Sequence, residues 1–134
     1  MKIMIAEDDP VSAAALHGLL ARLGHDVAVT VDGDAAWHFW SHEQTPIVVL
    51  DWMMPGIDGI EVCKRIRASK PTGYTCIIML TAKREREDRV KALKAGVDVF
   101  ITKPLNKEEL IARLQVAERI IAMESAESDV DLAA

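Results

Sequence analysis

Five short apolar runs punctuate the chain, at Lys2–Ala6, Asp26–Val31, Ile47–Leu50, Cys76–Leu80 and Val97–Thr102, and a stretch with helical spacing follows each of them. Runs of this length, rich in β-branched residues, are strands, and those apolar at consecutive positions are buried on both faces. Such strands need helices above and below, and alternating β and α units join into a parallel sheet through right-handed crossovers. The predicted fold class is therefore α/β, a doubly wound five-stranded parallel sheet with five helices. At 134 residues, half of them apolar, the chain is long enough for one domain with a real core and too short for two.

The helices carry their own punctuation. Asp9 can cap a helix that has Pro10 at its first position, where a missing N–H costs nothing, and Val11, Ala14, Ala15, Leu19 and Leu23 then recur at helical spacing before Gly24. Asp32-Gly33 turns into a helix with Ala36, Trp37 and Trp40 on one side. Asp58, with Glu61 three residues on, is a variant capping box for a helix that buries Val62, Cys63 and Ile66. Ser69-Lys70-Pro71-Thr72-Gly73 is a loop. The charged run Arg84–Arg89 opens a helix with an apolar side through Val90 and Leu93, stopped by Gly96. Asn106 caps the last helix, Glu109 reaches back, Leu105 packs on Leu110, and Leu114, Ala117 and Ile121 continue the buried side. Domain limits of 1–123 follow, with 124–134 expected to be a polar, acidic tail or the start of a linker.

Composition excludes several roles. The apolar runs fall far short of the roughly 20 residues a membrane span needs, and the N-terminus has no long signal-peptide core, so no membrane association and a cytoplasmic location are expected. A net charge of −5 opposes direct nucleic acid binding, which needs a basic surface. Cys63 and Cys76 match no metal or redox pattern and are expected to be buried small hydrophobes. His38 and His42 stand four apart, a spacing able to grip a metal, but no third ligand accompanies them and a solvated helix face is the better reading.

Chemistry collects where the strands end. Glu7 and Asp8 follow the first, Asp51 closes the third, Thr81 follows the fourth and Lys103 the fifth. In a parallel sheet these all lie on one edge, where ligands bind near the switch point in strand order. Three converging carboxylates repel one another and raise each other's pKa, so they imply a cation among them. An oxygen-only set favours Mg2+ or Mn2+ over zinc. An ammonium and a hydroxyl beside a metal suit a phosphoryl group, whose transfer is stabilised by neutralising its equatorial oxygens. Asp51 is then the candidate nucleophile, able to form an acyl phosphate.

From Lys2 to about Met123 the chain resembles the receiver domains of two-component response regulators. The likeness rests on Glu7-Asp8-Asp9, Leu50-Asp51-Trp52-Met53-Met54-Pro55-Gly56-Ile57-Asp58-Gly59, Leu80-Thr81-Ala82, Ala95-Gly96 and Lys103-Pro104. It implies a flavodoxin-like sheet in the order 2-1-3-4-5, an arrangement for which a chemotaxis receiver is a standard example. It implies that Asp51 takes a phosphoryl group from the phosphohistidine of a sensor histidine kinase or phosphotransfer protein. Magnesium would be held by Asp8 and Asp51, by Glu7 through water and by the backbone carbonyl of Met53. Thr81 and the Ala82 N–H would bind the phosphoryl oxygens, Lys103 would pair with them, and Lys103-Pro104 would be a cis peptide. Thr81 and Phe100 would form the switch that reshapes the face made by the fourth helix, fifth strand and fifth helix, for a downstream effector, a fused output domain or a second copy of the chain. Phe100 lacks the hydroxyl of the tyrosine many relatives carry there; Met53 and Lys83 stand where the family varies and where side chains tune access of the hydrolytic water, and bulky Met53 is expected to slow loss of the phosphoryl group. An aspartyl-phosphate phosphatase of the haloacid dehalogenase type would want an aspartate where Met53 stands, and a flavodoxin-like electron carrier would not present Glu7-Asp8-Asp9 to a phosphate.

Overall fold

A computed structural model describes residues 1–69, 72–83 and 85–133, the last eight of these by backbone course alone. Lys70 and Pro71 of the expected loop, and Arg84 of the charged run, lie outside the described residues. The elements alternate as the sequence requires: β1 (Lys2–Ala6), α1 (Pro10–Arg22), β2 (Asp26–Thr30), α2 (Gly33–Glu43), β3 (Ile47–Asp51), α3 (Gly59–Ala68), β4 (Cys76–Thr81), α4 (Arg86–Ala95), β5 (Val99–Thr102) and α5 (Lys107–Ala133). All strand pairs are parallel, in the order β2-β1-β3-β4-β5. The doubly wound α/β fold is thus present. No helix among the described residues is long and apolar enough to cross a membrane.

Period-two side-chain alternation divides the buried strands between two cores. Met4, Val48, Leu50, Ile77 and Met79 point to one face, where α2, α3 and α4 supply Trp40, Ile66 and Ala92. Ile3, Ile5, Val49, Ile78 and Ile101 point to the other, covered by α1 and α5 through Leu16, Leu20, Leu110 and Leu114. With helices on both faces, every strand position of β3 and β4 is buried.

The caps at Asp9 and Asp58 form, accepting from the Ser12 and Glu61 N–H groups, and Asn106 accepts from Glu109 N–H. The Glu61 carboxylate takes its bond from Arg65 Nε within the helix. Two helix faces differ from expectation. On α1 the buried stripe is Ala13, Leu16, Leu19 and Leu20, while Val11, Ala14, Ala15 and Leu23 are exposed. That helix is Ala- and Leu-rich all round, so spacing alone left several possible stripes. On α4 the buried residues are Ala92 and Ala95, and Val90 and Leu93 face solvent. Small side chains let α4 lie close to its neighbours, and the larger aliphatic residues are left outside. β5 begins two residues later than its apolar run, with Val97 packed in the core under α3 and α4. Finally, α5 continues as helix through residues 124–133.

Candidate functional site

The parallel sheet aims every strand's carboxyl end the same way, and the order reverses between β1 and β3. Glu7 leaves β1 there, its N–H donating to the Thr30 carbonyl of β2, and Asp51 closes β3. Both are buried, at 3% and 6% exposure, and Asp8 beside them is exposed. One ligand oxygen from each of the three carboxylates fits within 4.8 Å of the others. The three are positioned to chelate a divalent ion such as Mg2+ or Mn2+, and their all-oxygen chemistry suits a hard cation. Theirs is the single such group among the described residues. The His38 and His42 rings are tilted at 49° with centroids 4.6 Å apart, both residues are exposed, and His42 Nδ1 lies 2.8 Å from the His38 carbonyl, which supports the solvated-face reading.

Lys103 completes the cluster from the end of β5. Its Nζ donates to Asp51 Oδ2 at 3.0 Å and to Glu7 Oε2 at 3.3 Å. The Lys103–Pro104 peptide bond is cis. Backbone bonds tie these ends together: Lys103 N–H donates to the Thr81 carbonyl, and Trp52 N–H to the Leu80 carbonyl. Thr81 is buried, next along β4 from Leu80, the register partner of Asp51, and its Oγ1 accepts from Lys83 N–H at 3.0 Å. Ala82 is exposed.

Electrostatics report the crowding. Burial, then the hydrogen bond with Asp51 and that residue's charge, hold Glu7 above the usual carboxylate range, against the opposing Asp9 N–H and Lys103. For Lys103 burial works to lower the pKa, yet its bonds to Asp51 and Glu7 and their charges outweigh it and the net shift is upward. One ammonium thus shares two buried carboxylates.

Further from the carboxylates, Phe100 is half-buried against the α3/α4 core, with the Arg89 guanidinium 5.8 Å from its ring centroid. The Met53 side chain is 63% exposed. Burial pushes the Cys63 thiol up to about 11 and the Cys76 thiol up to about 12, so both behave as hydrophobes at neutral pH.

One contact of the site is not legible in the sequence. A Cβ on Gly59 would lie 2.4 Å from the Asp51 carbonyl oxygen and 3.1 Å from Trp52 Cα, so only glycine lets α3 start against the backbone of the acidic residue. The glycine itself was the available signal. Lys83 sits over the Trp52 ring at 5.1 Å and 4.0 Å from Asp88, roofing the residue after Asp51.

Comparison with known proteins gives the same neighbourhood throughout. The family model described as the response regulator receiver domain matches residues 3–115. The transcriptional regulatory protein TcrA of Mycobacterium tuberculosis is 40% identical over 119 residues, covering 89% of this chain and 46% of that protein. The alkaline phosphatase synthesis transcriptional regulatory protein PhoP of Bacillus subtilis is 39% identical over 118 residues, 88% of this chain and 48% of its own length. The chain therefore spans about half the length of these curated relatives. Among solved structures, a Francisella response regulator receiver domain superposes with TM-score 0.81 at 32% identity, covering 88% of this chain and 96% of that one. The BeF3-activated N-terminal receiver domain of Klebsiella pneumoniae RstA superposes with TM-score 0.80 at 31% identity, over 87% and 97%.

Proposed function

The chain belongs to the response regulator receiver domain family, and on that premise we propose that Asp51 is its phosphorylation site, taking a phosphoryl group from the phosphohistidine of a sensor histidine kinase or phosphotransfer protein. The observation that carries the reading is the convergence of Glu7, Asp8 and Asp51 within 4.8 Å, with Lys103 Nζ 3.0 Å from Asp51 Oδ2. In the transfer, an Asp51 carboxylate oxygen attacks phosphorus and the P–N bond breaks. The donor imidazole leaves with the electron pair and is neutralised by a proton, and an acyl phosphate remains on Asp51.

Asp8 and Asp51, Glu7 through water and the Met53 carbonyl would hold Mg2+, which when bound supplies positive charge to the phosphoryl oxygens. Lys103 is placed to move its hydrogen bond from Asp51 to one of those oxygens. The Thr81 hydroxyl and Ala82 N–H would bind the others, which requires Thr81 to leave its contact with Lys83 N–H. Movement of Thr81 opens space for Phe100 to turn inward, and the α4-β5-α5 face changes shape. The output is a shift in population that an effector, a fused output domain or a second copy reads. That face bears Arg89 and Arg113 alongside Glu109, a mixture suited to self-pairing. Residues 1–123 would be the receiver proper, and 124–134 a tail or the start of a linker. The protein has no metabolic substrate in this scheme; it acts on its own phosphorylation state alone. Met53, where a dehalogenase-type phosphatase needs an aspartate, supports the receiver reading over that alternative.

The test is mass spectrometry of wild type and Asp51→Ala after incubation with a small acyl phosphate donor, with and without magnesium. Wild type should gain one phosphoryl group only with magnesium, and Asp51→Ala none. An adduct of equal yield on Asp51→Ala, or none on wild type, refutes the assignment.

A further inference from the structure

A second surface is built on the opposite charge. Although the chain carries net −5, an open groove of about 710 Å³ between α3 and α4 is rimmed by Lys64, Arg67, Lys91 and Lys94, with Glu87 its single acid. Arg67 is answered by Asp98, but none of the three lysines forms an ion pair with an acid among the described residues. The floor is aliphatic: Ala68, Val90 and Ala95, with Val90 42% exposed. Cations held along an apolar floor in an acidic protein fit an acidic segment that carries small aliphatic side chains.

Such a segment is present in the chain itself. Residues 124–133 contain Glu124, Glu127, Asp129 and Asp131 and no lysine or arginine. The same ten residues also include the aliphatic Ala126, Val130 and Leu132. The last α5 residue packed against the core is Ile121, and Met123 is 71% exposed. The helix nevertheless continues about 15 Å further at 1.5 Å per residue, although so short an extension gains little stability without packing. It cannot reach its own groove, because α5 is one continuous helix on the sheet face opposite α3 and α4.

We propose that the groove between α3 and α4 receives the acidic C-terminal segment, residues 124–133, of a second copy of the chain. Reciprocal exchange closes a two-fold dimer. This contact lies on α3 and α4, so it is distinct from pairing through the α4-β5-α5 face and does not require phosphorylation.

The experiment is sedimentation of the full chain across a concentration series at low and high salt. Wild type should dimerise, less strongly in high salt. The exposed pair Lys91→Glu/Lys94→Glu should weaken the dimer by about tenfold or more, two attractive rim contacts having become repulsive. Glu127→Lys/Asp131→Lys should do the same. Mixing the two variants should restore association, since each groove then meets a segment of opposite charge. Cooperative thermal melts at dilution, where wild type is also monomeric, should coincide and show that both variants fold. A monomeric wild type overturns the proposal, as does failure of the mixture to recover, or a dimer lost with Arg113→Glu and kept in both charge-reversed pairs.

Discussion

Replacing Arg67 with methionine keeps the aliphatic stem and removes the guanidinium, which isolates a polar hub at the sheet edge away from the carboxylate cluster. Arg67 Nε and Nη2 donate to the Gly96 carbonyl at 3.0 and 2.8 Å, Nη1 to the Thr75 carbonyl at 2.7 Å, and Nη2 to Asp98 Oδ2 at 2.8 Å. Asp98 in turn accepts from Ile77 N–H and from the Tyr74 hydroxyl. One cation therefore joins the C-terminal ends of α3 and α4 to the starts of β4 and β5. Hydrogen bonds to a charged group contribute about 1.5–3 kcal/mol each when buried. With Arg67 and Asp98 side chains 25% and 16% exposed, water can replace part of this, while Asp98 keeps two donors. A loss of about 3 kcal/mol is expected, most of it from the two stranded carbonyls. For a domain of this size that corresponds to roughly 10 °C in Tm. Equilibrium urea unfolding should show the midpoint lowered at unchanged slope, with the exposed Lys64→Met as a near-neutral control. A loss below about 1 kcal/mol would refute the hub as a source of stability.

Glu7→Gln should stabilise the metal-free protein near neutral pH. The folded-state pKa of Glu7 is raised, so as pH climbs from about 4.3, where the unfolded side chain titrates, through the higher folded value, the folded state holds a proton the unfolded state has lost and stability falls. The penalty is complete above that window and absent below it. Melts in chelating buffer should therefore show the variant ahead at pH 7 and the two converging in acid, and parallel profiles would contradict the account. Gly59→Ala forces a methyl against the Asp51 carbonyl and should cost about 1–3 kcal/mol as overpacking; it should also slow adduct formation on Asp51, and an unperturbed melt would argue against the close approach. Met53→Asn should shorten the life of the phosphoryl group, followed by intact mass, and an unchanged lifetime would remove Met53 as a barrier to water.

The site was legible because its residues stand at the ends of strands that have little choice of position. Ile47–Leu50 and Cys76–Leu80 are apolar at every position, which commits them to a buried parallel sheet, and Asp51 and Thr81 then have one edge to occupy. What was illegible depends on tertiary approach. Spacing does not single out the α1 stripe, because Ala14 and Ala15 are as apolar as Ala13 and only the sheet decides among them. On α4 the larger residues Val90 and Leu93 carried the periodic signal while Ala92 and Ala95 made the contacts. Arg67 gave no sign at all: two of its three acceptor groups are backbone carbonyls, Gly96 and Thr75, and a carbonyl has no sequence signature. The same limit explains Gly59, whose part in seating Asp51 lies in an absent side chain. Carboxylates and a lysine at strand ends announce chemistry, whereas the contacts that hold those ends in place rest on backbone atoms shared by every sequence.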